Sequence, residues 1–517
     1  MAFISCRYGY RIVMLPTHVL LYAALMLLSP CAMAGLSEEE QGAGGLTPGV
    51  QARVANVERG LSTPVRVRGA PIQRWTLAER MAFHQVPAVS VAVVDKGRIE
   101  WTRAYGVLDT ATRRPATTTS LFQAASVSKS VSALGAMRLV ELGSLSLDAP
   151  ANTQLSGWEI PDNRFTDGHP VTLRALLNHS AGMTVHGFYG YAADEPVPTL
   201  LQILDGIPPS NSDPIRVEST PGTAWVYSGG GYTVVQQMMS DVGAQSFPQL
   251  MRALVLDPLG MRDSSFETLL PADWKARAAH GYDGEGREVP GGWKVHPESA
   301  AAGLWTTPTD LAQMVVDIQK ASDGRTGTLL SRATTASMLS RGLGEYGLGF
   351  YVEPMGQGTS FSHSGGTTGF RSRFYGYTHT GQGIVVLTNS DNGAALIDEI
   401  IGSVSAEYGW PEFQQIEKAA IPADPALNRA AAGSYELAGK PAKLIADGHR
   451  LFFQSALFGR ERMELFAQSP LRYFMTAQDM VLDVQRTPDG DVTGFTLIRG
   501  ASRYPATRNE DAATRPH

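Results

Sequence analysis

Cysteine is nearly absent from this 517-residue chain, which has two, Cys6 and Cys31, both close to the N-terminus. Once residues 1–34 are removed, neither a disulfide nor a cysteine-based metal site is available, and stability has to come from packing. An excess of positive charge is also lacking: 43 Lys and Arg stand against 49 Asp and Glu, for a formal charge of -6. With no basic stripe carrying interleaved aromatics, that balance excludes nucleic acid as the main partner. Low-complexity sequence is confined to a short Glu/Gly-rich stretch at residues 38–45, read as a flexible start. Repeats of the solenoid kind are absent.

Long hydrophobic runs are equally scarce. The apolar run at residues 19–28 is roughly half of the about 20 residues a membrane-spanning helix needs. Arg7 and Arg11 precede it and Ala32-Met33-Ala34 closes it, the pattern of an export signal cleaved after Ala34. The mature protein is thus expected to be periplasmic or secreted, with no stable membrane span. Lipid attachment at Cys31 is disfavoured by Pro30, which is a poor fit to the small residue that such processing prefers.

What is present is material for a large core, with 43% hydrophobic and 18% charged residues. Residues 88–94 and 99–105, joined by Asp95-Lys96-Gly97-Arg98, read as a hairpin. Residues 371–377 and 383–388 read as a second hairpin, and mostly helical patterns lie between the two. This order predicts an α+β domain whose antiparallel sheet is built from both ends of the segment, with helices flanking it and a helical region inserted. Residues 35–70 are assigned to a flexible segment, 71–415 to the main domain and 416–432 to a linker. Short strand-like runs with turns at Asp447-Gly448 and Pro488-Asp489-Gly490 make residues 433–508 a small all-β barrel, followed by a tail at 509–517.

The strongest chemical signal is Phe122-Gln-Ala-Ala-Ser-Val-Ser-Lys129. Ser126 and Lys129 stand three apart at the start of a helical pattern, which puts them side by side. A serine hydroxyl needs a base to become a nucleophile, and a desolvated lysine amine supplies one. Free N–H groups at the helix start favour the oxyanion that attack creates. Alone, the motif reads as an ordinary helix cap followed by a solvated lysine, since Ser-x-x-Lys occurs by chance in many proteins.

Two further stretches give it company. Pro221-Gly-Thr-Ala-Trp-Val-Tyr-Ser-Gly229 resembles the loop that carries Tyr-x-Asn in class C β-lactamases and related carboxypeptidases and esterases. His363-Ser-Gly-Gly366 resembles the third element of that family, Lys-Thr-Gly, in its His-x-Gly form. Stretches at 172–182, 258–261 and 301–310 are similar as well, and the likeness runs in order from about Leu77 to Ala406. The resemblance implies a β-lactamase/transpeptidase-like fold, a lipocalin-like C-terminal unit and a serine hydrolase working through an acyl-enzyme on an ester or amide. It implies Ser126 as nucleophile, Lys129 and Tyr227 as proton relay, and His363 as a further catalytic position. The oxyanion hole would be the N–H groups of Ser126 and Gly366, with Gly229, Ser364, Gly365 and Arg371 facing substrate. His179 is taken as structural. The implied partner is a small-molecule or peptide substrate, no metal or other cofactor is required, and oligomeric state is not legible.

Two positions depart from the β-lactamase pattern: Gly229 replaces the usual Asn, and His363 replaces the Lys. The first removes an amide-binding side chain and the second a permanent cation, since histidine is largely neutral at pH 7. Arg371 or Arg373 is the candidate replacement for that charge. An esterase, amidase or D-amino-acid peptidase is therefore expected ahead of a weak β-lactamase or D,D-carboxypeptidase. A non-catalytic cell-wall binding protein is disfavoured by the intact Ser126, Lys129 and Tyr227.

Overall fold

The computed structural model describes residues 45–455, 457, 462–500 and 502–509; the proposed export signal lies outside them. After β1 (Val65–Val67) comes the expected hairpin, β2 (Ala88–Asp95) and β3 (Arg98–Asp109). Its turn residues Lys96 and Gly97 have φ of 54° and 69°. Two left-handed residues in succession match the twist of the paired strands, and glycine takes that conformation without strain.

Short β4 (Arg114–Pro115), β5 (Phe122–Gln123) and β6 (Trp305–Thr306) precede a run of long strands: β7 (Tyr351–Met355), β8 (Gly358–Thr367), β9 (Phe370–Tyr377) and β10 (Gly383–Thr388). They assemble in the order β4-β3-β2-β10-β9-β8-β7. The pairing of β2 with β10, Val89 opposite Thr388 through Val94 opposite Gly383, joins the two hairpins into one sheet. β2 is buried on both faces. Ala88, Ala92 and Val94 belong to the large core under the helical region, while Val89, Val91 and Val93 belong to a second core with the helix Gly393–Tyr408. That second interface also holds a buried ion pair, Arg80 to Glu399 at 2.6 Å, with His84 3.1 Å from the same carboxylate.

Two sequence expectations need correction. Much of the supposedly flexible 35–70 segment is ordered: Pro48–Arg59 is a helix capped by Thr47, burying Val54 and Val57 in the second core. The supposed linker 416–432 contains β11 (Ile416–Lys418), which pairs in parallel with β1, and the helix Pro425–Ala431. Local sequence favoured a loop in both places, but pairing between distant segments supplies the missing hydrogen-bond partners. The N–H of Val65 also reaches the Thr476 carbonyl at 3.3 Å, and the Lys418 ammonium reaches Asp479 at 2.6 Å.

The C-terminal unit is a closed barrel of eight antiparallel strands from Gly433–Leu437 to Ser502–Arg508. Tyr435, Phe453, Tyr473 and Phe495 are among the side chains that fill it. Among the described residues, no helix is long and apolar enough to cross a membrane.

Candidate active site

β5 pairs with β6, and the Ala124 N–H donates to the Leu304 carbonyl at 2.9 Å, which fixes the chain just before Ser126. Ala125 is then held at φ 47°, a conformation costly for any residue with a Cβ and one that recurs at functional sites. A 3-10 turn, Ala125–Val127, leads into the helix Ser128–Glu141. From Ser120 through Met137 only Ser126 escapes burial. A segment otherwise sunk in the core presents one hydroxyl.

The Lys129 ammonium donates to Ser126 Oγ at 3.1 Å and to the Ala301 carbonyl at 2.9 Å. Lys129 is 2% exposed, and burial brings its pKa down to about 7, so a large fraction of the amine is neutral at physiological pH. The Tyr227 phenol faces Ser126 from the other side, and the Lys129 nitrogen lies 5.0 Å from its ring centre. Burial pushes the Tyr227 pKa up to about 12, opposed in part by the hydrogen bond with Ser126. That shift favours the neutral phenol over a phenolate at neutral pH. Lys129 is the group able to take a proton and Tyr227 the one able to give it.

His363 sits on β8, 2% exposed, its Nε2 3.0 Å from the Tyr346 hydroxyl and its Nδ1 2.7 Å from the Ser364 carbonyl. Burial and then the nearby Lys129 charge take its pKa down to about 3. It is neutral, as expected, and turned toward Tyr346. Gly365 has to be glycine, because a Cβ would fall 2.1 Å from the Ala124 carbonyl oxygen. That close approach lays β8 against the segment bearing Ser126 and leaves Ser364 and Gly366 exposed on the opposite pleat.

The arginines do not stand free. Arg371 Nη1 is 3.0 Å from Asp391 and donates to the carbonyls of Thr367 and Phe370, while Arg373 pairs with Asp398. Their charges are already compensated, which corrects the expectation of a spare cation near the substrate. Gly229 opens the helix Gly229–Gly243, and a Cβ on it would lie 3.0 Å from Phe188 Cε2. The Phe188 ring fills the place from which an Asn side chain would project.

Sequence reasoning missed Tyr346 and the Ala301 carbonyl, and understated His179, whose ring centre lies 4.3 Å from that of Tyr227. Residues 179 and 301 fall inside the stretches singled out by resemblance; nothing in the pattern marked 346. The chain also gathers Asp109, His280 and Glu288, residues with no metal-ligand spacing in sequence, but His280 and Glu288 already pair at 2.9 Å and Asp109 accepts from Ala111 and Thr112.

The pattern of the family described as Beta-lactamase matches residues 74–401. The chain is 24% identical over 471 residues to penicillin-binding protein 4* of Bacillus subtilis (strain 168), covering 84% of this chain and 97% of that one. It is 33% identical over 194 residues to esterase EstB of Burkholderia gladioli, covering 35% of this chain and 48% of the esterase. Among solved structures, the octameric penicillin-binding protein homologue from Pyrococcus abyssi aligns with a TM-score of 0.58 at 21% identity, covering 83% of this chain and 98% of that one.

Proposed function

The chain belongs to the beta-lactamase family and is a serine hydrolase of that family, and on that premise we propose that Ser126 forms an acyl-enzyme from small, uncharged esters. The observation that carries the reading is the one partly exposed hydroxyl of a buried segment, 3.1 Å from a lysine amine whose pKa is about 7. Neutral Lys129 takes the Ser126 proton as Oγ attacks the ester carbonyl carbon. The oxyanion is received by the N–H groups of Ser126 and Gly366. As the carbon–oxygen bond to the alcohol breaks, Tyr227 gives its proton to the departing oxygen and is reprotonated from Lys129. Water then attacks the acyl carbon, its proton passing through the same pair, and Ser126 and a carboxylic acid are released.

The preference for esters rests on three features of the pocket wall. His363 is neutral, Arg371 and Arg373 are paired, and Phe188 covers Gly229. An anionic β-lactam finds no compensating cation among these residues, and its acylamide finds an aromatic ring instead of a hydrogen-bonding side chain. A hydrogen bond to a charged group is worth about 1.5–3 kcal/mol, roughly ten- to a hundredfold in rate. The 33% identity to a relative named as an esterase agrees with this. Export directed by residues 1–34 completes the reading.

The test is a hydrolysis panel of short acyl esters, D-Ala peptides and a chromogenic cephalosporin on wild type and Ser126→Ala. Esters should turn over fastest, and the Ala variant should lose at least about a thousandfold while keeping its melting temperature. Faster cephalosporin than ester hydrolysis by the wild type would overturn the substrate assignment, and full activity in the variant would overturn the nucleophile.

A further inference from the structure

Tyr227 is held by one residue from three directions. The His179 carbonyl accepts the Val226 N–H at 2.8 Å, and its Nδ1 accepts the Ser228 N–H at 3.1 Å, so the residues before and after Tyr227 are both tied to it. Its ring lies 4.3 Å from the Tyr227 ring centre, tilted by 40°. A backbone N–H only donates, so Nδ1 carries the lone pair and Nε2 the proton.

That proton has no oxygen or nitrogen to meet: Nε2 is buried without a hydrogen-bond partner, while the rings of Tyr346, Tyr232 and Trp225 stand 4.7, 5.4 and 6.2 Å from the imidazole. The His179 backbone adds a second local cost, a φ of 62° that few residues with a Cβ adopt. An unpartnered donor and a left-handed backbone in one residue, beside the proton donor of the site, are the mark of a side chain kept for placement.

We infer that His179 is a positioning residue: by gripping the chain on both sides of Tyr227 and stacking on its ring, it aims the phenol at the departing oxygen of the substrate. It takes no proton itself. Burial, with the charge of Lys129, keeps the imidazole neutral, and its Nδ1 lone pair is already used by the Ser228 N–H.

This inference rests on the proposed role of Tyr227, and the experiment separates the two. p-Nitrophenyl acetate has a leaving group that departs without a proton, whereas ethyl acetate needs one. Tyr227→Phe should slow ethyl acetate about a hundredfold or more relative to p-nitrophenyl acetate. His179→Asn keeps an acceptor for Ser228 and tolerates the left-handed backbone but removes the ring. It should show the same bias at about tenfold or more in kcat, with KM nearly unchanged, and add little to Tyr227→Phe in the double variant. His179→Phe, which keeps a ring and gives up the acceptor, is the second probe should the Asn variant fail to fold, and should show the bias too. If Tyr227→Phe slows both esters equally, the role of Tyr227 falls and this inference with it. If Tyr227→Phe is biased and the folded His179 variants slow both esters equally, His179 serves stability alone and the inference is overturned.

Discussion

The catalytic unit and the barrel bury polar groups in opposite ways. Against the barrel, Asn428 of the helix Pro425–Ala431 is completely buried and satisfied at both ends, donating to the His449 carbonyl and accepting from Tyr473, each at 3.0 Å. In the catalytic unit, His179 Nε2, His296 Nδ1, Trp225 Nε1 and both oxygens of Glu298 are buried without hydrogen-bond partners, and among the described residues no such atom lies in the barrel strands. Ala125 and His179 are held at φ of 47° and 62° within the site, whereas the left-handed residue of the barrel, Ala438 at φ 50°, lies in the two-residue turn between Leu437 and Lys440, where that conformation suits the hairpin. Residues that only have to fold can resolve such conflicts. A site that has to hold a lysine near pKa 7 beside a hydroxyl keeps them.

Lys129 is where the contrast should break most visibly. Its amine takes up a proton with a pKa near 7 in the folded chain and near 10.5 when exposed, so the unfolded state binds more protons between those values. The resulting cost to stability is full below pH 7, shrinks as pH rises and vanishes above about pH 10.5. Lys129→Met should therefore abolish acylation, by about a thousandfold or more, yet raise the melting temperature, and raise it more at pH 6 than at pH 10. In the wild type, acylation should decline as pH falls through about 7. Stopped-flow labelling and calorimetry across pH check both.

Asn428→Ala should do the reverse, because it leaves the Tyr473 hydroxyl only a long bond of 3.5 Å to the Pro470 carbonyl and takes the Asn428 donor from the His449 carbonyl. The expected loss is about 1–3 kcal/mol, read by chemical denaturation, with ester turnover unchanged. The smallest effect belongs to removal of residues 419–517, which spares β11 and every group placed in the site. The fluorophosphonate labelling rate of the folded remainder should stay within about threefold of the intact chain. A folded remainder that does not label would show that the barrel completes the site.

Local chemistry explains what was legible. The Lys96-Gly97 turn, the two hairpins, the Ser126/Lys129 spacing and the neutrality of His363 all follow from residues close together in sequence. The helix Pro48–Arg59 and β1 were missed because what orders them is remote: Arg68 pairs with Glu417, 349 residues away. The grip of His179 on Ser228 crosses 49 residues, and Phe188 over Gly229 is likewise a contact between loops whose course no periodicity encodes. The charges of Arg371 and Arg373 were visible, but not that Asp391 and Asp398 had already claimed them.

The seam between β2 and β10 sets a schedule for synthesis. The N–H of Ala88 finds its acceptor, Asn389 Oδ1, 301 residues further along the chain. At about 5–20 residues per second, a ribosome needs roughly 15–60 s to make that interval. Through all of it Ala88–Asp95, buried along its whole length in the finished molecule, has β3 on one side and an open edge on the other. It is a Val-rich segment with a single terminal charge, the composition most prone to pair with another nascent chain. Yield during overproduction should therefore depend on how quickly translation reaches β10, and on what shields β2 until it does.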